Sequence, residues 1–377
     1  MTPNVYLPLL SDYFHRAEKK NTALQIGLEL ELIGFQRAGL KRLNTDDIQI
    51  IFKLSKLSVE PGLQLEFSTN PHTGLREIEA EKNDWFWLCV GYDPFSRLTD
   101  VPWNPKKRYA VMRRYLPGFG AGILRMMQGT AGAQVSLDYR NEADMIRKMR
   151  VSSAVAMIVG ALFNNSCFAE GKPDTAAVRS GIWNDVDPRR SGYANTFSQD
   201  FGYESHIRHI LDIPMLTLKK NGEMRDYAGY DFKTYLSEQT TYDEADWKTQ
   251  MSVTFPFSRL RNTIETRTAD SGNTEQCMAL CAFWKGLLYS ETALTKAYTE
   301  ISTYDISLLE NIRRPVASDG LSAVYQTFSI RDKAGLFVSI AEQGLADIAR
   351  MKCITCSHSK PLSALENPQV KSCGKKL

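Results

Sequence analysis

The sequence has no run of apolar residues approaching the ~18 that a membrane-spanning helix needs. Its first twenty residues mix Tyr6, Leu7, Leu9 and Phe14 with Asp12, His15 and Arg16, and so lack the apolar centre of a secretory signal. Seven cysteines among 377 residues are too few and too irregularly spaced for a disulfide framework. These absences predict a reduced, cytoplasmic protein that does not enter a membrane. The net charge is only +3 and no long basic block occurs, which argues against nucleic acid as a partner. There is no GxxxxGK[ST], no Rossmann glycine pattern, no kinase signature, and no Ser or Cys nucleophile spaced to a base. No internal repeat is visible. Without a Gly/Ser-rich or Pro-rich linker to divide it, the chain reads as one domain over 1–352, with a loose tail over 353–377 rich in Ser, Lys and Pro. A monomer or homodimer acting on small molecules is the expected state.

What is present is an ordinary globular composition, 43% hydrophobic and 24% charged, enough for a sizeable core. Residues 5–18 read as a short amphipathic helix, and a second lies within 36–56. Strict alternation over 23–35 signals a strand, with further strands at 57–68, 133–139 and 262–268. Residues 69–104 read as a helix and then a loop. Gly118, Gly120, Gly122, Gly129 and Gly132 place a flexible loop over 108–132. Asn141 caps a long helix with Asp144 at its third position. Another helix falls near 202–212, and two close the chain at about 275–300 and 334–351. Strands interleaved with helices, but without regular βαβ spacing, predict an α+β fold on an antiparallel sheet.

Alternation puts same-parity residues on one face of a strand. Glu29 and Glu31 therefore oppose Leu28, Leu30 and Leu32, and Glu60, Gln64 and Glu66 oppose Leu63, Leu65 and Phe67. Gln134, Ser136 and Asp138 oppose Val135 and Leu137, while Glu265 and Arg267 oppose Ile264. Any one of these faces alone reads as the solvated side of a sheet. Four together, nearly all Glu and without a Lys among them, read differently when long aromatic and Gly-rich loops stand ready to cover them. Carboxylates on a covered surface repel one another unless cations lie between them. Oxygen ligands without His or Cys suit Mg²⁺ or Mn²⁺ rather than zinc, and carboxylate-held Mg²⁺ usually bridges phosphates, so ATP is the natural companion.

Seven blocks then become recognisable in order: IGLELELIGF (26–35), VEPGLQLEFS (59–68), RYAVMRRYLP (108–117), AQVSLD (133–138), NNSCFAEGKP (164–173), RSGIWNDVDPRRSG (179–192) and ETRTAD (265–270). Together they resemble glutamate–cysteine ligase of the plant and proteobacterial type, over roughly residues 23–350. The resemblance implies a cupped antiparallel sheet related to glutamine synthetase, with substrates inside the cup. It implies that the glutamate side-chain carboxylate attacks the γ-phosphate of ATP and that the amine of cysteine then displaces phosphate. By motif position, Glu29, Glu66 and Glu265 are implied metal ligands, with Glu31, Glu60 and Gln134 in support. Arg267 is implied to meet phosphate and Arg179 a substrate carboxylate, Trp183 to wall the glutamate pocket, and Arg113 and Tyr115 to lie near the acceptor. Arg suits both tasks because its planar fork binds two oxygens at once. Read without the resemblance, Arg179 is equally a surface residue or a partner of Asp185, and Trp183 a core residue.

The chain also departs from the family. Its connection from Phe35 to Leu57 is shorter than in typical members, and EPGLQLEFS lacks the usual second glycine. These departures leave the carboxylates in place but leave two alternatives beside cysteine ligation: another amine as acceptor, and an inactive binding paralogue. Cys353, Cys356 and His358 have CxxCxH spacing, with Cys373 beyond, but lack a second CxxC and read as free thiols rather than a zinc site. Cys277 and Cys281 read as core, and His206 and His209 as surface.

Overall fold

In the computed structural model, which describes residues 1–52, 58–68 and 83–358, alternation along the strands fixes which side chains meet the core. Among these residues the central sheet has eight strands. They are β1 (Ile26–Gln36), β2 (Lys41–Arg42), β3 (Ser58–Val59), β4 (Leu65–Ser68), β5 (Trp85–Leu88), β6 (Gly132–Leu137), β7 (Ser258–Leu260) and β8 (Ile264–Asp270). Their order is β7-β8-β6-β1-β4-β3, with β2 and β5 joined to β1, and each of these pairs is antiparallel. At 11 residues, β1 is long enough to change partners midway. Residues 26–32 pair with β6 and β4, and residues 33–36 pair with β5. The change of partner curls the sheet into the expected cup.

The helices that shape the site are α1 (Pro3–Ala17), α2 (Thr45–Phe52), α3 (Lys107–Tyr115), α4 (Ile123–Gly129), α5 (Glu142–Ala154), α6 (Ala156–Leu162), α7 (Val178–Trp183), α8 (Tyr203–Leu211), α9 (Thr274–Tyr289), α10 (Glu291–Ile301) and α11 (Ile330–His358). Leu28 and Leu30 of β1, Val135 and Leu137 of β6 and Ile264 of β8 share one core with Met149 of α5, Ile158 of α6 and Leu280 and Trp284 of α9. Val135, Leu137 and Ile264 are fully buried, worth ~2 kcal/mol each. A one-residue slip would turn all of them to the opposite face, so this burial fixes the register and, with it, the carboxylate face.

Asn141 caps α5 as expected, its side chain accepting from the Asp144 N–H at 3.0 Å. The helix predicted over 275–300 is broken at Ser290, which caps α10. Five other expectations change. Residues 58–68 are a hairpin rather than one strand, with its turn at Pro61 and Gly62 and Leu63 at φ 60°. Leu57 falls outside the described residues. A Cβ on Gly62 would lie 2.2 Å from the Gln128 carbonyl oxygen, so only glycine lets the turn seat there. Arg42, buried against Asp93 at 2.6 Å, donates to the Gly62 carbonyl and holds the turn down. The glycine-rich stretch 108–132 is mostly helical, forming α3 and α4, because its glycines serve close approaches rather than flexibility. A Cβ on Gly120 would come within 2.3 Å of the Asp185 carbonyl oxygen. Within 69–104, Trp85–Leu88 is a strand on β1, and residues 69–82 are outside the described ones. His206 is 3% exposed, not surface, because Tyr203, His206, Ile207 and Ile210 form the buried stripe of α8, with Phe14 and Phe201 against the imidazole. The last helix runs through His358, past the expected tail boundary at 353; residues 359–377, with Cys373, lie outside the described ones.

Candidate active site

The polar face of the cup closes into a cavity of about 290 Å³. Its floor is the sheet. Glu29 stands opposite Gln134 and Glu31 opposite Glu66 across β1, while Glu60 and Gln64 come from the β3–β4 hairpin. The roof is built by α3 with Arg108, Tyr109 and Met112, by α4 with Met126 and Met127, and by α7 with Arg179 and Trp183. Ser252 and Phe255 with Arg259, Arg261 and Arg267 form a side wall. Glu29, Glu31, Glu60, Glu66, Gln134, Arg179, Trp183 and Arg267, all expected at the site, do converge here.

The carboxylates feel one another. Burial, and then the neighbouring Glu60, raises the Glu31 carboxyl well above the usual range, although Arg179 and the Gly132 N–H work against it. Burial and a hydrogen bond to Glu60 raise Glu66 further. Glu29 is raised by burial and by Glu265. The Gly132 N–H and the Gln134 amide orient Glu31 at 2.6 and 3.3 Å.

Glu265 stands apart. It is 6% exposed and is not among the cavity-lining residues. Arg259 donates to both of its oxygens at 2.8 and 2.9 Å, and Arg267 donates to one of them. Burial would raise its pKa, but Arg259 and Arg267 hold it down to about 2. Glu265, expected as a metal ligand, instead lies outside the cavity lining here and accepts three hydrogen bonds from two guanidiniums.

Arg267 lies where the pairing of β8 with β6 shifts register between Thr266 and Ala269. Such an irregularity re-aims a side chain and frees backbone groups. The freed Arg267 and Thr268 carbonyls accept from Arg179 at 2.9 and 3.1 Å. Arg179 is buried, lies 3.9 Å from Asp270 rather than beside Asp185, and sits over the Trp183 ring. Asp270 is itself fixed by the Asn165 N–H and the Ser166 hydroxyl.

Arg113 and Tyr115 do not line the cavity. The helical period turns Arg108, Tyr109 and Met112 inward, leaving Arg113 exposed over the Trp103 ring and Tyr115 against Phe119. At the far end of the stripe, Asp138 is likewise outside the cavity and caps the Gln25 N–H. Gln64 reaches the cavity, but its amide is spent bracing the hairpin against the Thr130 carbonyl. The residues missed by parity alone are Arg259 and Arg261, on a three-residue edge strand and its end, and Arg108 and Tyr109, on a segment read as loop.

Among the described residues, no three His, Cys, Asp or Glu side chains are already gathered around a point that could hold a metal ion. The donor chemistry nevertheless fits a hard divalent cation. Glu29, Glu31, Glu60, Glu66 and Gln134 offer oxygen only, and register partners have Cβ atoms ~5 Å apart, within carboxylate reach of a shared ion. Their mutual repulsion is the strain that such an ion would relieve.

Residues 25–327 match the family described as glutamate–cysteine ligase family 2. The chloroplastic glutamate–cysteine ligase B of Oryza sativa subsp. japonica is 33% identical, over 85% of this chain and 74% of its own length. The chloroplastic enzyme of Brassica juncea is 36% identical, over 77% of this chain and 60% of its own. A solved glutamate–cysteine ligase from Francisella tularensis in complex with AMP is a looser likeness, at 12% identity and TM-score 0.45 over 91% of this chain and 86% of that one. The chloroplastic relatives overturn the expected cytoplasmic location. Few cysteines and, among the described residues, no long apolar helix fit a protein of the plastid interior as well as one of the cytosol, so that reading could not separate them.

Proposed function

The chain belongs to glutamate–cysteine ligase family 2, and from that premise we propose that it joins the γ-carboxylate of L-glutamate to the amine of L-cysteine, with ATP as co-substrate, through a γ-glutamyl phosphate. The observation that carries this reading is one cavity with a wall of carboxylates, a wall of arginines, and Arg179 with Trp183 in its roof. The reaction must bring a carboxylate nucleophile to a triphosphate, and opposed charge inside a shielded cavity makes that approach possible.

In this reading Arg179 and Trp183 hold glutamate, the guanidinium taking a carboxylate and the indole face covering the chain. Arg267, at the register shift, takes the transferring phosphoryl group in the same reading. Glu29, Glu31, Glu60 and Glu66, with Gln134, would hold Mg²⁺ or Mn²⁺, which when bound neutralises phosphate charge. Glu265 holds Arg267 and Arg259 in position. Met112, Met126 and Phe255 give the cavity an apolar side on which a small acceptor side chain can rest. Domain organisation follows the same reading: one catalytic unit, whose last helix α11 carries on through the expected boundary at 353 to His358.

ADP release should require Mg²⁺, glutamate and an amino acid together, and cysteine should outrun every other amino acid in a panel. Equal rates with several amines would move the reading to a different acceptor, and no ADP from any mixture would defeat it.

A further inference from the structure

We infer that Arg313, which does not line the cavity, is a positioning residue for glutamate, because it sets where α7 carries Arg179 and Trp183. The inference rests on the reading in which those two side chains hold glutamate. Helix α7 spans only Val178–Trp183, less than two turns. A helix that short does not hold itself together in water, so its place is fixed by what grips it. One neighbour, the helix Arg313–Asp319, grips both of its ends. Just before α7, the Ala176 and Ala177 N–H groups donate to the Ser318 and Ala317 carbonyls at 3.2 and 3.0 Å. At its end, Arg313 donates to the Trp183 carbonyl at 3.2 Å and to the Asn184 side-chain oxygen at 3.0 Å. The Asn184 amide donates in return to the Arg313 carbonyl at 3.2 Å. A guanidinium suits this place, because the last carbonyls of a helix lack partners within it and carry its negative end.

The grip is main chain at one end of α7 and side chain at the other, so Arg313 is the part of it that a substitution can remove. Its remaining contacts make it a joint between two sides of the site. The guanidinium lies 5.2 Å from the centroid of the Phe257 ring, and the Phe257 carbonyl accepts from the Arg267 N–H at 3.0 Å. Glu310 supplies the counter-charge at 2.6 Å. The indole N–H of Trp183 has no hydrogen-bond partner among the described residues, so the ring goes where its main chain goes. Arg179 stands four residues before Trp183, on the same face of the helix, and moves with it.

The test joins steady-state kinetics to ¹⁹F NMR of the full chain carrying fluorotryptophan, in which the resonance lost from Trp183→Phe identifies Trp183. In Arg313→Lys the charge stays at the helix end but the fork is lost. This variant should melt close to wild type and shift the Trp183 resonance. It should raise KM for glutamate about 10-fold, with kcat and KM for ATP within about twofold of wild type. Arg313→Gln should raise KM for glutamate at least as far. A Trp183 resonance that stays in place in both variants overturns the inference, and so does an unchanged KM for glutamate. A loss that falls equally on every substrate and follows the melting temperature also overturns it, since a merely structural residue would give that result. Arg179→Gln separates the two possible failures. If it raises KM for glutamate and the Arg313 variants do not, the inference alone falls; if none of them does, the assignment of glutamate to Arg179 falls as well.

Discussion

Glu66→Gln is expected to lower turnover by ~10³-fold or more, equivalent to ~4 kcal/mol of transition-state stabilisation, while the protein stays folded and no less stable. The two halves of this expectation have one cause. Glu66 faces Glu31 across the sheet, shares a hydrogen bond with Glu60, and is held far above the ordinary carboxylate range by burial and these neighbours. As a structural element it is a liability, since buried carboxylates without a cation oppose folding. A carboxamide of the same shape removes that cost. As a cation ligand, however, it cannot be replaced by a neutral group without losing charge at the point where phosphate must be neutralised. Thermal unfolding and steady-state rates on the same preparation check both halves. A variant that is as active as wild type would remove Glu66 from the cation site, and one that is inactive because it is unfolded would give it a structural role instead.

Gly132→Ala should be nearly as damaging, although it adds only a methyl group and touches no substrate. The new Cβ would lie 2.6 Å from Arg179 Nη2 and 3.2 Å from the Ala269 carbonyl oxygen. The end of an arginine usually moves aside cheaply, but this one is 4% exposed and tied to two carbonyls on β8. The same glycine also donates its N–H to Glu31. Displacing Arg179 by about 1 Å is expected to cost ~10²-fold in kcat/KM for glutamate, with KM for ATP much less affected. A kcat/KM for glutamate within about twofold of wild type would show that Arg179 does not hold glutamate.

Much of this was legible in the sequence, for a physical reason. A sheet packed on one face by helices must alternate, so Leu28, Val135 and Ile264 report where the core is, and Glu29, Gln134 and Glu265 must stand on the other side. The same rule worked on the β3–β4 hairpin almost by accident. Glu60 and Glu66 belong to separate arms there, and their convergence comes from the Pro61–Gly62 turn docked on α4. Alternation could not reveal β7, since Ser258–Leu260 is too short to show a period. With β7 hidden, Arg259, the partner that grips both oxygens of Glu265, was hidden as well. Glycine density misled over 108–132, where close packing rather than freedom selects glycine. On α3 the family motif marks the right helix but not its inward face, which is why Arg108 and Tyr109, rather than Arg113 and Tyr115, meet the cavity.

If the side-chain carboxylate of glutamate itself attacks the triphosphate inside this cavity, isotope transfer reads that event directly. Glutamate labelled with ¹⁸O in its γ-carboxylate, incubated with ATP, cysteine and Mg²⁺, should deliver one ¹⁸O to each inorganic phosphate released. Unlabelled phosphate alongside ADP would mean that water, not the glutamate carboxylate, attacks the nucleotide, and the cavity would then have to be assigned another reaction.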